Sequence, residues 1–283
     1  VAAPMLQMGV PVKLPETGAR LSSSYRLPFY PVLAEQERSK PAGGFWFSER
    51  AFIKYLTGKI PQPEDLVETR EIWKTDARVG VGLNPATRSA VEGRLFSTEA
   101  IVMTKRKLDG SGFDAGFLVA VTGGKPPSNG PLRFGGDGRA VAIREAESFT
   151  MPEPDYEQIA SAGCLRLVLA TPGIFKRGWL PNGFYEAQTG EYRFDLCGVK
   201  GRLAAACVPR AETVSGWDLA RRLPKPAQRA VPAGSVYWLD EVEASAGDLR
   251  RLAEAGLWSD SCEDPARRAE GFNRIWLAEW KKV

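Results

Sequence analysis

Three segments of this chain hold residue types that can grip a phosphate or stack a base. The first is Phe134-Gly135-Gly136-Asp137-Gly138-Arg139. Glycines let the backbone take positive φ and approach a phosphate closely, and the guanidinium beside them is a planar fork suited to phosphate. The plainer reading is a tight β-turn whose glycines serve geometry alone. The spacing fits neither G-x-x-x-x-G-K-[ST] nor G-x-G-x-x-G, which disfavours nucleotide folds of those classes. A Gly-Gly-Asp turn can also offer a carboxylate to catalytic Mg²⁺. Here Gly138 and Arg139 follow Asp137, and a cation at that point repels the ion, so no metal site is expected.

The second segment runs from Ala77 to Phe96, with Arg78, Arg88 and Arg94 set among Gly80, Gly82, Gly93 and the hydroxyls of Thr87 and Ser89. Backbone N–H groups, hydroxyls and guanidiniums are the groups that hold a nucleic-acid backbone. The segment reads as a loop leading into a strand, and a structural loop with solvated arginines has the same composition. The third segment, 171–181, interleaves Lys176 and Arg177 with Phe175 and Trp179. Arg177 could meet phosphate and Trp179 could stack an unpaired base; equally, Trp179 could plug the core beneath its loop.

What the chain lacks narrows its chemistry further. Its 283 residues include no histidine, the side chain whose unperturbed pKa lies near neutrality. That excludes Ser-His-Asp and Cys-His catalysis, His-bearing zinc sites, and histidine acid/base cleavage of RNA. Cys164, Cys197, Cys207 and Cys262 have no C-x-x-C spacing and read as ordinary thiols. The net charge of +4 is near balance, so any nucleic-acid contact is local. The short basic runs at 105–107, 221–222 with Lys225 and Arg229, 250–251, 267–268 and 281–282 each read as solvated surface. No apolar run is long enough for a membrane span and no signal-peptide pattern opens the chain, so the protein is expected to be soluble and cytoplasmic.

The elements that must position these residues are those of an α+β protein. Residues up to about Gly44 read as extended and Pro-punctuated. A helix begins at the N-cap Ser48, with Phe52, Tyr55 and Leu56 on one face and Gly58 closing it. A second short helix is expected over 64–73. Strand-like runs at 95–104 and 113–122, separated by Asp109-Gly110, read as a hairpin. A loop over 123–138 leads to a strand at 139–144. Residues 164–171 form a further apolar strand, followed by a loop-rich stretch to about Gly201. Then come a strand at 235–242, a helix opened by the capping box Ser245-x-x-Asp248 and stopped by Gly256, and a closing strand at 272–280. This β-α-β ending, with the earlier hairpins, suggests ferredoxin-like units (β-α-β-β-α-β).

Taken in order, Arg78-Val79-Gly80-Val81-Gly82-Leu83, Thr87-Arg88, Glu92-Gly93-Arg94-Leu95-Phe96, Gly135-Gly136-Asp137-Gly138-Arg139, Thr171-Pro172-Gly173-Ile174-Phe175, Val231-Pro232-Ala233-Gly234-Ser235-Val236-Tyr237 and Gly271-Phe272-Asn273 resemble the subunit-three family of the Cmr complex. These are RAMP-superfamily proteins of type III-B CRISPR effectors, and the resemblance covers about residue 45 to the C-terminus.

It implies tandem ferredoxin-like (RRM-like) RAMP domains with long Gly/Pro-rich loops, divided here as 1–150 and 151–283. It implies a non-catalytic subunit, without cofactor or metal, that binds the 5′ tag of the CRISPR RNA (crRNA) and contacts the large palm-domain subunit and the backbone RAMP subunit. Target RNA would be met only through the complex. The RNA-binding candidates are Arg78, Gly80, Arg88, Arg94, Gly135, Gly136, Gly138, Arg139 and Arg177. Two departures stand out: the opening strand and acidic/aromatic motif of the family are missing before Phe45, implying an incomplete first domain, and the glycine-rich loop before the last strand is reduced to Arg267-Arg268-Ala269-Glu270-Gly271-Phe272. The alternatives are a metal-independent RAMP endoribonuclease that processes crRNA through Tyr, Lys or Ser, and a protein-interaction scaffold that touches no RNA.

Overall fold

The computed structural model describes residues 9–13, 27–33, 44–105, 114–119, 121, 124–135, 139–146, 150–218, 220–259 and 264–282. They fall into two compact units, one built from 1–66 with 152–283 and the other from 67–151. The architecture is α+β, with many strands and few helices.

The first unit is organised by a six-stranded sheet whose neighbours are all antiparallel. Its spatial order is Phe184–Glu186, Tyr192–Leu196, Val199–Cys207, Val236–Glu243, Leu165–Leu169, Ile275–Glu279. Every residue of the Leu165–Leu169 strand is buried, because both faces of the sheet are covered. Leu165, Leu167 and Leu169 share a core with Ile159 of helix α3 (Tyr156–Ala162) and with Leu249 and Leu252 of α4 (Ala246–Ala255). On the other face Val168 and Ala278 meet Ala51, Phe52, Tyr55 and Leu56 of α1 (Glu49–Leu56). Period-two alternation therefore vanishes from the sequence of this strand, as it does in any strand buried on both sides.

The capping residues act as the sequence indicates. Ser48 Oγ accepts from the Ala51 N–H at 3.1 Å and starts α1. Ser245 and Asp248 form the reciprocal capping box of α4. Among the described residues between α1 and α3, the one α-helical segment is a single turn, α2 (Thr69–Ile72), and α5 (Pro265–Ala269) precedes the last strand. The helix expected over 64–73 is broken into a 3₁₀ turn at Pro63–Asp65, a strand at Leu66–Glu68 and α2. The capping box of Gln62 with Asp65 opens the turn, and Leu66 ends it in an extended conformation.

One buried carboxylate in this sheet is held by two cations. Asp240, 1% exposed, sits opposite Arg202 on the neighbouring strand and accepts both Nε and Nη2 at 2.9 Å, with Lys282 Nζ at 2.8 Å. Burial by itself raises the pKa of Asp240, but the hydrogen bonds from Arg202 and Lys282 outweigh it and hold the carboxyl below its ordinary value. A depressed folded-state pKa contributes stability above the unfolded value of about 3.9, and that stability is lost as pH falls through the folded one. Asp240→Asn is thus expected to lower unfolding free energy by about 2 kcal/mol at pH 7, with the gap to wild type closing below about pH 4. Urea titrations across that range measure it.

In the second unit the expected hairpin of 95–104 with 113–122 is replaced by a different pairing. The strand Ala90–Met103 turns back on Trp73–Leu83 to form a long two-stranded ribbon. Residues 106–113 lie outside the described residues, and 114–119 form no strand. The stretch taken for a loop is a strand up to Leu83, leaving only 84–89 as the turn. Its glycines conceal it: Gly80 and Gly82 break the β-propensity of the run, and large side chains from the partner strand cover them. A second ribbon pairs Asn129–Arg133 with Ala140–Arg144. Part of the expected loop over 123–138 is therefore strand.

Candidate nucleic-acid interface

The Trp73–Met103 ribbon sorts its side chains by register. Arg78 pairs with Thr98, Gly80 with Phe96, and Val81 with Leu95. Side chains alternate between faces, so Lys74, Asp76, Arg78, Gly80 and Gly82 share one face with Arg94, Phe96 and Thr98. The other face exposes Val79, Val81, Leu95 and Ile101. A Cβ built on Gly80 would lie 2.5 Å from Phe96 Cζ, and one on Gly82 would lie 3.0 Å from Arg94 Cβ. Gly80 therefore seats the Phe96 ring against the ribbon, as aromatic side chains do over strand glycines. Phe96 stays half exposed, at 53%.

Two guanidiniums flank that ring. Arg78 donates Nε to Asp76 Oδ2 at 2.7 Å, which orients its fork and offsets part of its charge. Arg94 is exposed and has no ion-pair partner among the described residues. Arg88 stands at the ribbon tip with φ 54, a left-handed conformation uncommon for a side chain of this kind. The tip holds it there: Arg88 N–H donates to the Asn84 carbonyl at 2.8 Å, and Asn84 Oδ1 accepts from Ala86 N–H at 2.9 Å. Thr87 Oγ1 and Ser89 Oγ lie 2.7 Å apart beside it. The ribbon thus unites Arg78, Gly80 and Arg94 on one face and sets Arg88 at its end. The arrangement offers two cations around an exposed aromatic, with hydroxyls and a third cation at the tip; phosphates and unpaired bases suit such a surface.

The other candidates lie elsewhere. Gly135, with φ 92, and half-buried Arg139 sit at the base of the second ribbon's loop, where Phe134 N–H donates to the Arg139 carbonyl at 3.0 Å. Gly136, Asp137 and Gly138 lie outside the described residues. Arg177 is exposed in the first unit, on a tight turn that pairs it with Leu180. Trp179 packs against the core, its ring edge-on to Tyr192 at 6.0 Å, and its carbonyl accepts the Tyr237 hydroxyl at 2.5 Å. Phe96 was not among the sequence candidates, although its place opposite Gly80 follows once the hairpin register is fixed.

The C-terminal motifs converge by hydrogen bonding. Gly173 and Val231 exchange backbone bonds of 2.8 and 2.7 Å, and a Cβ on Gly173 would meet the Phe175 ring at 2.4 Å. Asn273, fully buried, donates its N–H to the Pro172 carbonyl at 3.1 Å and accepts the Ile174 N–H on Oδ1 at 2.7 Å. Thr171 Oγ1 donates to the Gly271 carbonyl at 2.7 Å. These motifs tie three distant stretches of chain into one lock beside the central sheet. Among the described residues no group of three His, Cys, Asp or Glu side chains gathers to hold a metal, and no helix is long and apolar enough to cross a membrane.

The chain is CRISPR-associated in class. Its family is Cas_Cmr3: the family model described as "CRISPR-associated protein (Cas_Cmr3)" matches residues 6–280, and the chain belongs to that family. No curated protein matches it significantly. Among solved structures it is similar to a chain of the type III-B Cmr-beta complex bound to cognate target RNA, with 16% identity, 60% of this chain and 46% of that chain covered, and a TM-score of 0.33. A chain of the same complex bound to cognate target RNA and AMPPnP gives 12% identity, coverage of 71% and 52%, and a TM-score of 0.34. This chain spans about half the length of those chains.

Proposed function

We propose that this chain is a non-catalytic RNA-binding subunit of a type III-B CRISPR effector in the cytoplasm. In this reading it holds the 5′ tag of the crRNA and bridges the large palm-domain subunit to the RAMP backbone in antiviral defence. The observation that carries the reading is the two-sided ribbon. One face sets Arg78 and Arg94 around Phe96, with Arg88 at the tip, and suits RNA. The opposite face exposes Val79, Val81, Leu95 and Ile101, an apolar strip of the kind that partner proteins cover. Membership in the Cas_Cmr3 family supports the assignment to the complex.

Tandem RAMP domains, 1–150 and 151–283, belong to the same proposal. For the second, strand order supports it: Ile275–Glu279, Leu165–Leu169, Val236–Glu243 and Val199–Cys207 lie side by side. In chain order that is fourth, first, third, second, the order of a β-α-β-β-α-β sheet. A hairpin and loops take the place of the helix after the first strand.

Ultraviolet crosslinking of the chain to RNA in the affinity-purified complex, read by peptide mass spectrometry, tests the proposal. Crosslinks to crRNA within 73–103 are expected, with the large palm-domain subunit in the same preparation. A free monomer without RNA would overturn it.

A further inference from the structure

A cavity of about 410 Å³ opens in the first unit, and no residue of the Trp73–Met103 ribbon lines it. It falls within the size range of small-molecule sites. Its walls come from the 27–31 segment, the Gly178-Trp179 turn, residues 206–211 and the strand Gln228–Ala230 with Val231. They are apolar apart from the aromatic residues Tyr30 and Trp179 and the exposed Arg229.

The aromatic floor is fixed in advance. Trp179 is clamped by its edge-on contact with Tyr192 and by the Tyr237 hydroxyl on its carbonyl, so a ligand stacking there would not need to order it. The polar groups, in contrast, are unspent. Neither the Tyr30 hydroxyl nor the Arg229 guanidinium has a hydrogen-bond or ion-pair partner among the described residues. No acidic residue lines the cavity. An uncompensated guanidinium at the rim of an aromatic cavity selects a planar ring that carries an anion.

We propose that this cavity binds a nucleoside monophosphate, with its base against Trp179 and Tyr30 and its phosphate on Arg229. The unit can come from a free mononucleotide or from an unstacked nucleotide within an RNA strand. The site uses no residue of the Trp73–Met103 ribbon, so it stands or falls apart from the function proposed above.

Isothermal titration calorimetry of the full chain with adenosine, AMP and a single-stranded tetraadenylate is the test. AMP is expected to bind at least about tenfold more tightly than adenosine, and Arg229→Ala or Arg229→Gln to abolish that preference. Tyr30→Ala is expected to weaken adenosine and AMP alike. Replacing Arg78, Arg88 and Arg94 with alanine is expected to leave AMP binding unchanged. Binding of tetraadenylate without AMP, lost in the Arg229 variants, assigns the site to a nucleotide within a strand. Absence of binding to both probes, or binding that the Arg229 and Tyr30 variants leave intact, overturns the proposal.

Discussion

With Arg78, Arg88 and Arg94 all replaced by alanine, the chain is expected to bind tag-bearing crRNA at least about tenfold more weakly at moderate salt, with the slope of log K against log salt reduced by about 2. The reasoning is additive. Each guanidinium that neutralises a phosphate on a single strand releases about 0.7 of a counterion, and the ribbon offers three. Arg78 contributes least, because Asp76 already holds its fork at 2.7 Å; Arg94 and Arg88 have no such partner among the described residues. All three are exposed, and the ribbon keeps its register and Phe96 over Gly80, so the variant should fold as wild type. Filter binding across a salt series separates the outcomes. A lower affinity with an unchanged slope would mean that the arginines act through protein shape and not through phosphate.

The largest effect on stability is expected at Arg166. This side chain is 4% exposed and lies in the fully buried Leu165–Leu169 strand, next to the sheet edge and on the face beneath α1. It donates Nε to the Glu279 carbonyl at 3.0 Å and Nη2 to the Tyr55 carbonyl, while its guanidinium stacks on the Tyr55 ring with 4.5 Å from Cζ to the centroid. Burial pushes the pKa of Arg166 down from its ordinary value, as desolvation does for any cation. The cation is retained because it caps the last turn of α1, where carbonyls lack helical partners, and joins that end to the edge strand. Arg166→Ala leaves a void, removes the guanidinium donor to the buried Glu279 carbonyl and leaves the Tyr55 carbonyl only the Gly58 N–H at 3.3 Å, so unfolding free energy is expected to fall by about 3–5 kcal/mol. Arg166→Met fills most of the void and should recover part of that loss. Denaturant midpoints for the two variants decide the point; equal losses would show that packing contributes nothing beyond the hydrogen bonds.

What the sequence made legible depended on whether one face or one cap dominated a segment. The Ser245-Asp248 capping box and the Ser48 cap were plain, since each acts through near neighbours. The strand Val199–Cys207 was missed because its alternation is interrupted. Register shifts fall between Lys200 and Arg202 and between Leu203 and Ala205, so inward positions do not keep a period of two. Helix α3 is only seven residues long, too short to show a helical stripe. The ribbon hid for another reason: its glycines are covered from across the hairpin, a compensation between residues sixteen positions apart in the case of Gly80 and Phe96. The arginines of the candidate site were identifiable by type, but the face they share and the ring between them follow only from register. Arg229 reads in the sequence only as one cation of a solvated basic cluster and Tyr30 carries no signal, since nothing near them in the chain marks a cavity assembled from four separate stretches.

The central claim is that the cationic face of the Trp73–Met103 ribbon meets crRNA inside an assembled effector. Peptide-resolved ultraviolet crosslinking of the affinity-purified complex tests it most directly. Crosslinks are expected at Phe96 and at the Thr87-Arg88-Ser89 tip, to nucleotides of the crRNA 5′ tag. Crosslinks confined to peptides outside 73–103, in a complex that carries intact crRNA, would contradict it.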